Sequence, residues 1–123
     1  MQYKFKVLIV EDEFLTAISL KMDLEKLGVD VLKPIAKGED AVPVAIQENP
    51  DLILMDIRLA GGLDGIEAAE EILIKRKIPI VFMTGYATEE IKERALKVNP
   101  VDYLDKPVDI NRIKQIIDTL KNE

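Results

Sequence analysis

Five short apolar runs alternate with segments of helical periodicity along the chain, and this alternation constrains the fold more than any other feature. The runs are VLIV (7–10), VDVLKPI (29–35), LILM (52–55), IVFM (80–83) and VDYL (101–104). Three of them are continuously apolar, which is typical of strands buried on both faces. Strand then helix, repeated five times, predicts an α/β fold: a doubly wound parallel sheet with helices on both faces.

The helices are marked by apolar residues spaced three or four apart. The markers, helix by helix, are Phe14, Ala17, Leu20, Leu24 and Leu27; Val42 and Ile46; Ile66, Ala69 and Leu73; Ile91, Ala95 and Val98; and Ile110, Ile113, Ile117 and Leu120. Gly28 is predicted to cap the first helix. Pro43 fits the second helix only if it lies in the first turn, since proline lacks the amide donor.

Composition limits the function classes. The 123 residues suffice for one domain, and a net charge of −6 argues against a nucleic-acid binder or an anionic membrane surface. Without cysteine or histidine there is no disulfide, thiolate or imidazole metal site, and no phosphohistidine on this chain. The N-terminal run is too short for a signal sequence, and none approaches the roughly 18 residues of a membrane span. We therefore expect a cytoplasmic protein.

Chemically useful side chains collect at the predicted strand ends, where open α/β sheets bind ligands. In chain order they are Glu11, Asp12, Asp56, Thr84 and Lys106. If the first, third, fourth and fifth strands are neighbours, these groups converge on one cleft. Three carboxylates there need positive charge, which Lys106 and a hard divalent cation such as Mg²⁺ would supply. The pattern indicates a metal held beside a phosphoryl group that a carboxylate attacks.

The chain resembles the receiver domain of two-component response regulators. The resemblance rests on VLIVEDE, PDLILMD, LDGIEA, IPIVFMTGYA and DYLDKPV, in that order and at the expected separations. It covers essentially the whole chain and implies a single receiver domain over residues 1–123. It also implies the flavodoxin-like receiver fold, with five helices around a five-stranded parallel sheet of order 2-1-3-4-5.

The resemblance implies a role for each residue of the cleft. Asp56 stands where the family has its phospho-acceptor. Glu11 and Asp12 match the acidic pair, with Asp12 as a direct Mg²⁺ ligand and Glu11 acting through water. Arg58 would give its backbone carbonyl to the metal.

Further matches concern catalysis and switching. Thr84 and Lys106 would act with the acceptor as the catalytic set, and Thr84 would also close onto the phosphoryl group. Tyr103 matches the aromatic residue that then swings inward. A cis bond is implied before Pro107. The loop IRLAGGLDG departs from the family pattern, since it is one residue longer and contains two adjacent glycines.

The implied function is a phospho-acceptor switch of a phosphorelay, not an enzyme acting on external metabolites. A sensor histidine kinase would donate the phosphoryl group. An effector protein would read the face formed by the fourth helix, fifth strand and fifth helix, and homodimerisation stays open. Neither nucleic acid nor membrane is an expected direct partner.

Three other functions stay open. The first is a receiver-like interaction module that works without phosphorylation. The second is an aspartate-nucleophile phosphohydrolase, although Arg58 stands where such enzymes carry a second Asp. The third is an FMN carrier, although the acidic EDEFL (11–15) is a poor phosphate-binding loop.

Overall fold

The computed structural model describes residues 3–123 as alternating strands and helices. The strands are β1 (Lys6–Val10), β2 (Asp30–Val31), β3 (Leu52–Asp56), β4 (Ile80–Thr84) and β5 (Asp102–Asp105). The helices are α1 (Phe14–Glu25), α2 (Gly38–Glu48), α3 (Gly65–Lys75), α4 (Glu89–Leu96) and α5 (Ile110–Lys121). The predicted alternation is confirmed. Residues 1–2, which begin the predicted domain and its N-terminal run, lie outside the described residues.

The five strands are parallel and lie in the order β2-β1-β3-β4-β5, as the resemblance implied. The chain passes from β1 to the edge strand β2 and then crosses back to β3, so the direction of winding reverses between β1 and β3. Open α/β sheets bind ligands at this reversal. Val10 pairs with Met55, and Thr84 pairs with Asp105. The carboxyl ends of β1, β3, β4 and β5 therefore lie side by side.

Both faces of the sheet are buried. Helices α1 and α5 cover one face, and α2, α3 and α4 cover the other. Along β1, Val7 and Ile9 join the first layer, whereas Leu8 and Val10 join the second, because successive side chains point to opposite faces. Full burial of each such side chain contributes about 1.5–3 kcal/mol. The sheet is thus a rigid frame for the groups at its strand ends.

The second predicted strand, residues 29–35, is shorter than expected. Only Asp30 and Val31 form a strand, and pairing resumes at one isolated bridge between Val10 and Ile35. Pro34 explains the interruption, because it has no amide donor and restricts the residue before it. Its position at a sheet edge makes the interruption tolerable.

Helix α2 forms where predicted but buries a different face. Its buried residues are Gly38, Ala41 and Ala45, whereas the markers Val42 and Ile46 are only half-buried. The prediction that Pro43 must lie in the first turn is wrong, since it lies in the second. Pro43 has no amide to donate to the carbonyl of Glu39, four residues earlier in the helix. Both residues are exposed, so water can satisfy that carbonyl.

Helix α1 differs from the prediction at both ends. It stops at Glu25, and Gly28, at φ 84°, closes the turn that follows the cap residue Lys26. Phe14 is a marker of the predicted apolar face, yet its side chain is 72% exposed. In the part of the chain that the structure describes, no helix combines the length and apolarity needed to cross a membrane.

Candidate functional site

Polar side chains from four strand ends meet at the sheet reversal. Glu11 follows β1, Asp56 ends β3 and Thr84 ends β4. The three are exposed by only 3%, 4% and 1%, respectively, while Asp12 is open to solvent. Lys106 follows β5, and its side chain reaches the carboxylates of Glu11 and Asp56. The cleft expected from the sequence therefore exists.

Lys106 pairs with two buried acids at once. Its Nζ lies 2.8 Å from Oδ2 of Asp56 and 2.5 Å from Oε1 of Glu11. Burial alone would lower the pKa of Lys106, but its hydrogen bonds to Asp56 and Glu11 outweigh burial and raise that pKa. The lysine is held in its charged form, and each carboxylate has a charged partner, as buried acids require.

The same cleft still lacks positive charge. Burial raises the pKa of Glu11, the neighbouring carboxylate of Asp56 raises it further, and Lys106 opposes both effects. Asp12 adds a third carboxylate within the same group. One lysine therefore faces three acids, and an additional cation would relieve their repulsion.

The donor set fits a hard divalent cation. One carboxylate oxygen from each of Glu11, Asp12 and Asp56 lies within 4.8 Å of the others. Mg²⁺ prefers oxygen ligands and keeps several waters when few carboxylates are available. The mixture of two buried acids and one exposed acid suits this coordination, since solvent can reach one side of the ion.

Arg58 lies at the mouth of the cleft. Its amide donates to Oδ1 of Asp56 at 3.3 Å. Its guanidinium lies 5.2 Å from the centroid of the Tyr86 ring, at cation–π distance. The backbone of Arg58 thus lies beside the Asp56 carboxylate in the loop after β3, and its side chain turns towards the loop after β4.

The hydroxyl groups of Thr84 and Tyr103 differ in their hydrogen bonding. The Thr84 hydroxyl donates to the carbonyl of Tyr86 at 3.1 Å and accepts from its amide at 3.2 Å, so it is engaged within its own loop. The hydroxyl of Tyr103 is buried without a hydrogen-bond partner among residues 3–123. Burial, with nearby Asp105 and Glu89, raises the pKa of Tyr103.

The cleft is closed on one side by the start of α3. Gly65 donates its amide to the carbonyl of Ile57 at 2.8 Å. A Cβ built on Gly65 would fall 2.0 Å from the carbonyl oxygen of Asp56. Only glycine permits this approach, so the Asp64–Gly65 pair of the LDGIEA motif sets how closely α3 packs against the end of β3.

Contacts made by Glu39, Asp64 and Arg94 were not predicted from the sequence. Glu39, in the first turn of α2, accepts hydrogen bonds from the loop after β3. Asp64 caps α3 in a capping box with Glu67 and also binds Arg94 of α4 at 3.1 Å. The Asp64-x-x-Glu67 spacing could have indicated the cap, but no local pattern indicates the two longer contacts.

Comparison with known proteins decides the family. Residues 7–118 match the model of the family described as response regulator receiver domain. The chain belongs to the response regulator receiver domain family. The resemblance stated from the motifs is confirmed, and with it the general function of the family as a signalling switch of two-component systems.

Relatives of known sequence extend beyond this receiver domain. The transcriptional regulatory protein PdtaR of Mycobacterium tuberculosis is 38% identical over 106 residues, which cover 86% of this chain and 51% of PdtaR. The chain therefore spans about half the length of this curated relative.

Solved receiver domains share the fold closely. The receiver domain of a modulated diguanylate cyclase from Desulfovibrio desulfuricans G20 is 42% identical, with a TM-score of 0.89 and coverage of 96% of this chain and 94% of that one. The receiver domain of the sensor histidine kinase PA1611 from Pseudomonas aeruginosa PAO1 is 31% identical, with a TM-score of 0.86 and coverage of 98% and 100%. That protein has a magnesium ion coordinated in its active site cleft.

Proposed function

We propose that residues 1–123 act as one receiver domain in which Asp56 accepts a phosphoryl group in a Mg²⁺-dependent reaction. The observation that carries this proposal is the shared contact of Lys106 with Asp56 and Glu11, beside the exposed carboxylate of Asp12. In this arrangement the buried carboxylate of Asp56 would be the nucleophile. The positive charge of Lys106 lies on one side of it, and solvent reaches the other side at Asp12.

The transfer forms one bond to phosphorus and breaks another. A carboxylate oxygen of Asp56 attacks phosphorus in line, and the bond from phosphorus to the donor imidazole nitrogen breaks. The imidazole keeps the bonding electron pair and takes up a proton from solvent, while Asp56 becomes an acyl phosphate. Lys106 stays charged and pairs with a phosphoryl oxygen as negative charge builds at the cleft.

We assign the cation site to four residues of this chain. Asp12 and Asp56 would bind directly, Glu11 through water, and Arg58 through its backbone carbonyl. Bound there, Mg²⁺ would neutralise phosphoryl oxygens and orient the donor. The grouping of three carboxylate oxygens supports this assignment, as does the magnesium-bound PA1611 receiver domain.

The switch would begin at Thr84. New charge on Asp56 offers the Thr84 hydroxyl a stronger acceptor than the carbonyl of Tyr86 that it now contacts. Movement of Thr84 would let Tyr103 change its packing, and this shifts a pre-existing equilibrium between two surfaces. The hydroxyl of Tyr103 is buried and has no partner among the described residues, which supports its role as a movable group.

Two proteins would use this domain. A sensor histidine kinase would supply the phosphoryl group, and exposed Phe14 and Leu15, directly after the acidic residues, offer apolar contact area beside the cleft. An effector would bind the face formed by α4, β5 and α5, where Leu96 and Val101 are exposed. We propose a cytoplasmic location because the phosphodonor is a kinase of a two-component system.

Intact mass spectrometry after incubation with acetyl phosphate tests the proposal. We expect one added phosphoryl group that requires Mg²⁺ and is absent in Asp56→Asn. Asp40→Asn is the matched control, because it removes an exposed carboxylate from the first turn of α2. Phosphorylation of Asp40→Asn should equal that of the wild type.

A contrary result would favour the interaction module. If the folded wild type binds Mg²⁺ but accepts no phosphoryl group from acetyl phosphate or from phosphorylated sensor kinases, the acceptor role of Asp56 is wrong. The domain would then act through its surface without phosphorylation.

A further inference from the structure

The loop between β3 and α3, residues 57–64, is held at two places, by the residue before helix α2 and by the first turn of that helix. Ala60 forms an isolated parallel bridge with Lys37, the residue before α2. Further along, the side chain of Glu39 accepts hydrogen bonds from the amides of Gly62 at 3.1 Å and Leu63 at 3.5 Å. The part of the loop that follows the acceptor is therefore anchored to a neighbouring helix.

The fit between loop and helix is close. Gly61 has a φ of 101°, and a Cβ at that position would lie 2.7 Å from Oε2 of Glu39. On the helix side, a Cβ at Gly38 would lie 2.9 Å from the carbonyl oxygen of Leu63. Glycine at both positions therefore leaves room for this carboxylate–amide contact, and a side chain at either position would collide with its neighbours.

The carboxylate form of Glu39 is the one that makes the contact. The hydrogen bond from the Gly62 amide is the largest influence on its pKa, and the net effect lowers that pKa. Charged acceptors form stronger hydrogen bonds to backbone amides than neutral ones. Glu39 is therefore a suitable anchor for a loop that contains two adjacent glycines and would otherwise be mobile.

The same loop begins beside Asp56. Arg58 donates its amide to the Asp56 carboxylate, and only Leu59 separates Arg58 from the Ala60 bridge. Anchoring of the loop at Ala60 and Gly62 thus restricts the backbone at Arg58. A ligand that is already ordered binds a cation without a further loss of backbone entropy.

We propose that Glu39 is a positioning residue for the divalent-cation site: it holds the loop that presents the Arg58 carbonyl. This inference rests on the proposed function, because that function places the cation there. Glu39 contacts neither the three clustered carboxylates nor Lys106 by any hydrogen bond of the described residues. Its effect therefore passes through the loop.

The test is a Mg²⁺ titration of the unphosphorylated full chain, monitored through the amide NMR signals of the loop. We expect Glu39→Ala to bind Mg²⁺ about tenfold more weakly, the size of effect seen when an outer support of a metal ligand is lost. Glu39→Gln keeps one acceptor oxygen and should lose less. Amide hydrogen exchange at Gly62 and Leu63 should accelerate in the same order.

A second readout separates positioning from chemistry. At saturating Mg²⁺ the rate of phosphorylation by acetyl phosphate should return to the wild-type value in Glu39→Ala, because Glu39 does not touch the reacting atoms. Asp40→Asn is the matched control, since it lies one residue away on the exposed first turn of α2. Its Mg²⁺ affinity should be unchanged.

Three outcomes would overturn the inference. In the first, Glu39→Ala binds Mg²⁺ as tightly as the wild type although exchange at Gly62 accelerates, which would make the contact purely structural. In the second, Asp40→Asn weakens binding equally, which would point to long-range charge. In the third, the wild type itself binds no Mg²⁺, and then the proposed function fails together with the inference.

Discussion

Gly65 approaches Asp56 so closely that a Cβ on Gly65 would lie 2.0 Å from the Asp56 carbonyl oxygen. This oxygen belongs to backbone at the end of the central strand β3, whose residues are all buried. It cannot move aside as a flexible side chain could. The start of α3 and the end of β3 are thus packed backbone against backbone.

We predict that Gly65→Ala lowers the free energy of unfolding by about 2–3 kcal/mol, because the added methyl group must displace α3 or β3. Urea denaturation followed by circular dichroism measures the change. Gly85→Ala is the matched control, since a Cβ at Gly85 would be 3.9 Å from the nearest atoms of Lys106. The control should change stability by less than about 0.5 kcal/mol. Equal stability of the two variants would contradict the close approach.

Tyr103 carries a hydroxyl that is buried without a partner in the described part of the chain. An unsatisfied buried hydroxyl costs free energy in the folded state, whereas in the unfolded chain it binds water. We predict that Tyr103→Phe raises the free energy of unfolding by about 1 kcal/mol. Urea denaturation at neutral pH tests this, and a loss of stability would show that the hydroxyl has a partner.

The phenol of Tyr103 also predicts a dependence on alkaline pH. Burial, followed by the negative charges of Asp105 and Glu89, raises its pKa above the usual value, which is about 10. The fold therefore favours the neutral phenol. The stabilisation gained from the neutral phenol is complete below the pKa that Tyr103 has in the unfolded chain. It is lost as the pH rises through the pKa that Tyr103 has in the folded protein. A hydrogen bond with Asp51 also raises the pKa of Tyr3, so spectroscopic titration should show two tyrosines ionising late, and Tyr103→Phe should remove one of these two transitions.

Much of the fold could be predicted because strands and helices repeat with different periods. The runs at 52–55 and 80–83 have no polar residue, which is typical of strands buried on both faces. The same argument failed at 29–35, where one proline interrupts an edge strand. It also failed at Phe14, because periodicity shows that a face is apolar but not that another element covers it.

The cleft could be predicted because a parallel sheet brings its strand ends together, so residues far apart in sequence become neighbours once the order is known. Glu11 and Lys106 are 95 residues apart and share a hydrogen bond. The contacts of Glu39 and Arg94 could not be predicted in this way. The first joins an exposed carboxylate to backbone amides of a loop, and the second joins two half-buried side chains on different helices. Neither polarity nor spacing selects these partners.

Asp64 has two partners, and we predict that they contribute separately. It caps α3 through the amide of Glu67 at 2.8 Å, and it pairs with Arg94, whose side chain is 41% exposed. Loss of the cap costs about 1 kcal/mol, whereas an exposed ion pair contributes about 0–1 kcal/mol. Asp64→Ala should therefore destabilise the domain more than Arg94→Gln does.

A double-mutant cycle in urea measures the coupling of this pair. Once Asp64 is replaced by alanine, the further change Arg94→Gln should have almost no effect, since the partner is already gone. Lys114→Gln is a control of similar exposure that breaks a pair within α5. Its effect should be the same in both backgrounds. Additive effects of Asp64→Ala and Arg94→Gln would show that the interaction between α3 and α4 does not persist in solution.

Removal of Mg²⁺ should expose the repulsion among the three acids of the cleft. We predict that Asp56→Asn in EDTA is at least as stable as the wild type, because Lys106 then faces two carboxylates in place of three and one less charge is buried. Mg²⁺ at about 100 times its dissociation constant should raise the wild-type free energy of unfolding by about 2.7 kcal/mol and that of Asp56→Asn by far less. Urea denaturation of both proteins with Mg²⁺ and with EDTA measures all four values. If Mg²⁺ stabilised both proteins equally, Asp56 would not be a ligand, and the ion would bind elsewhere on this acidic domain.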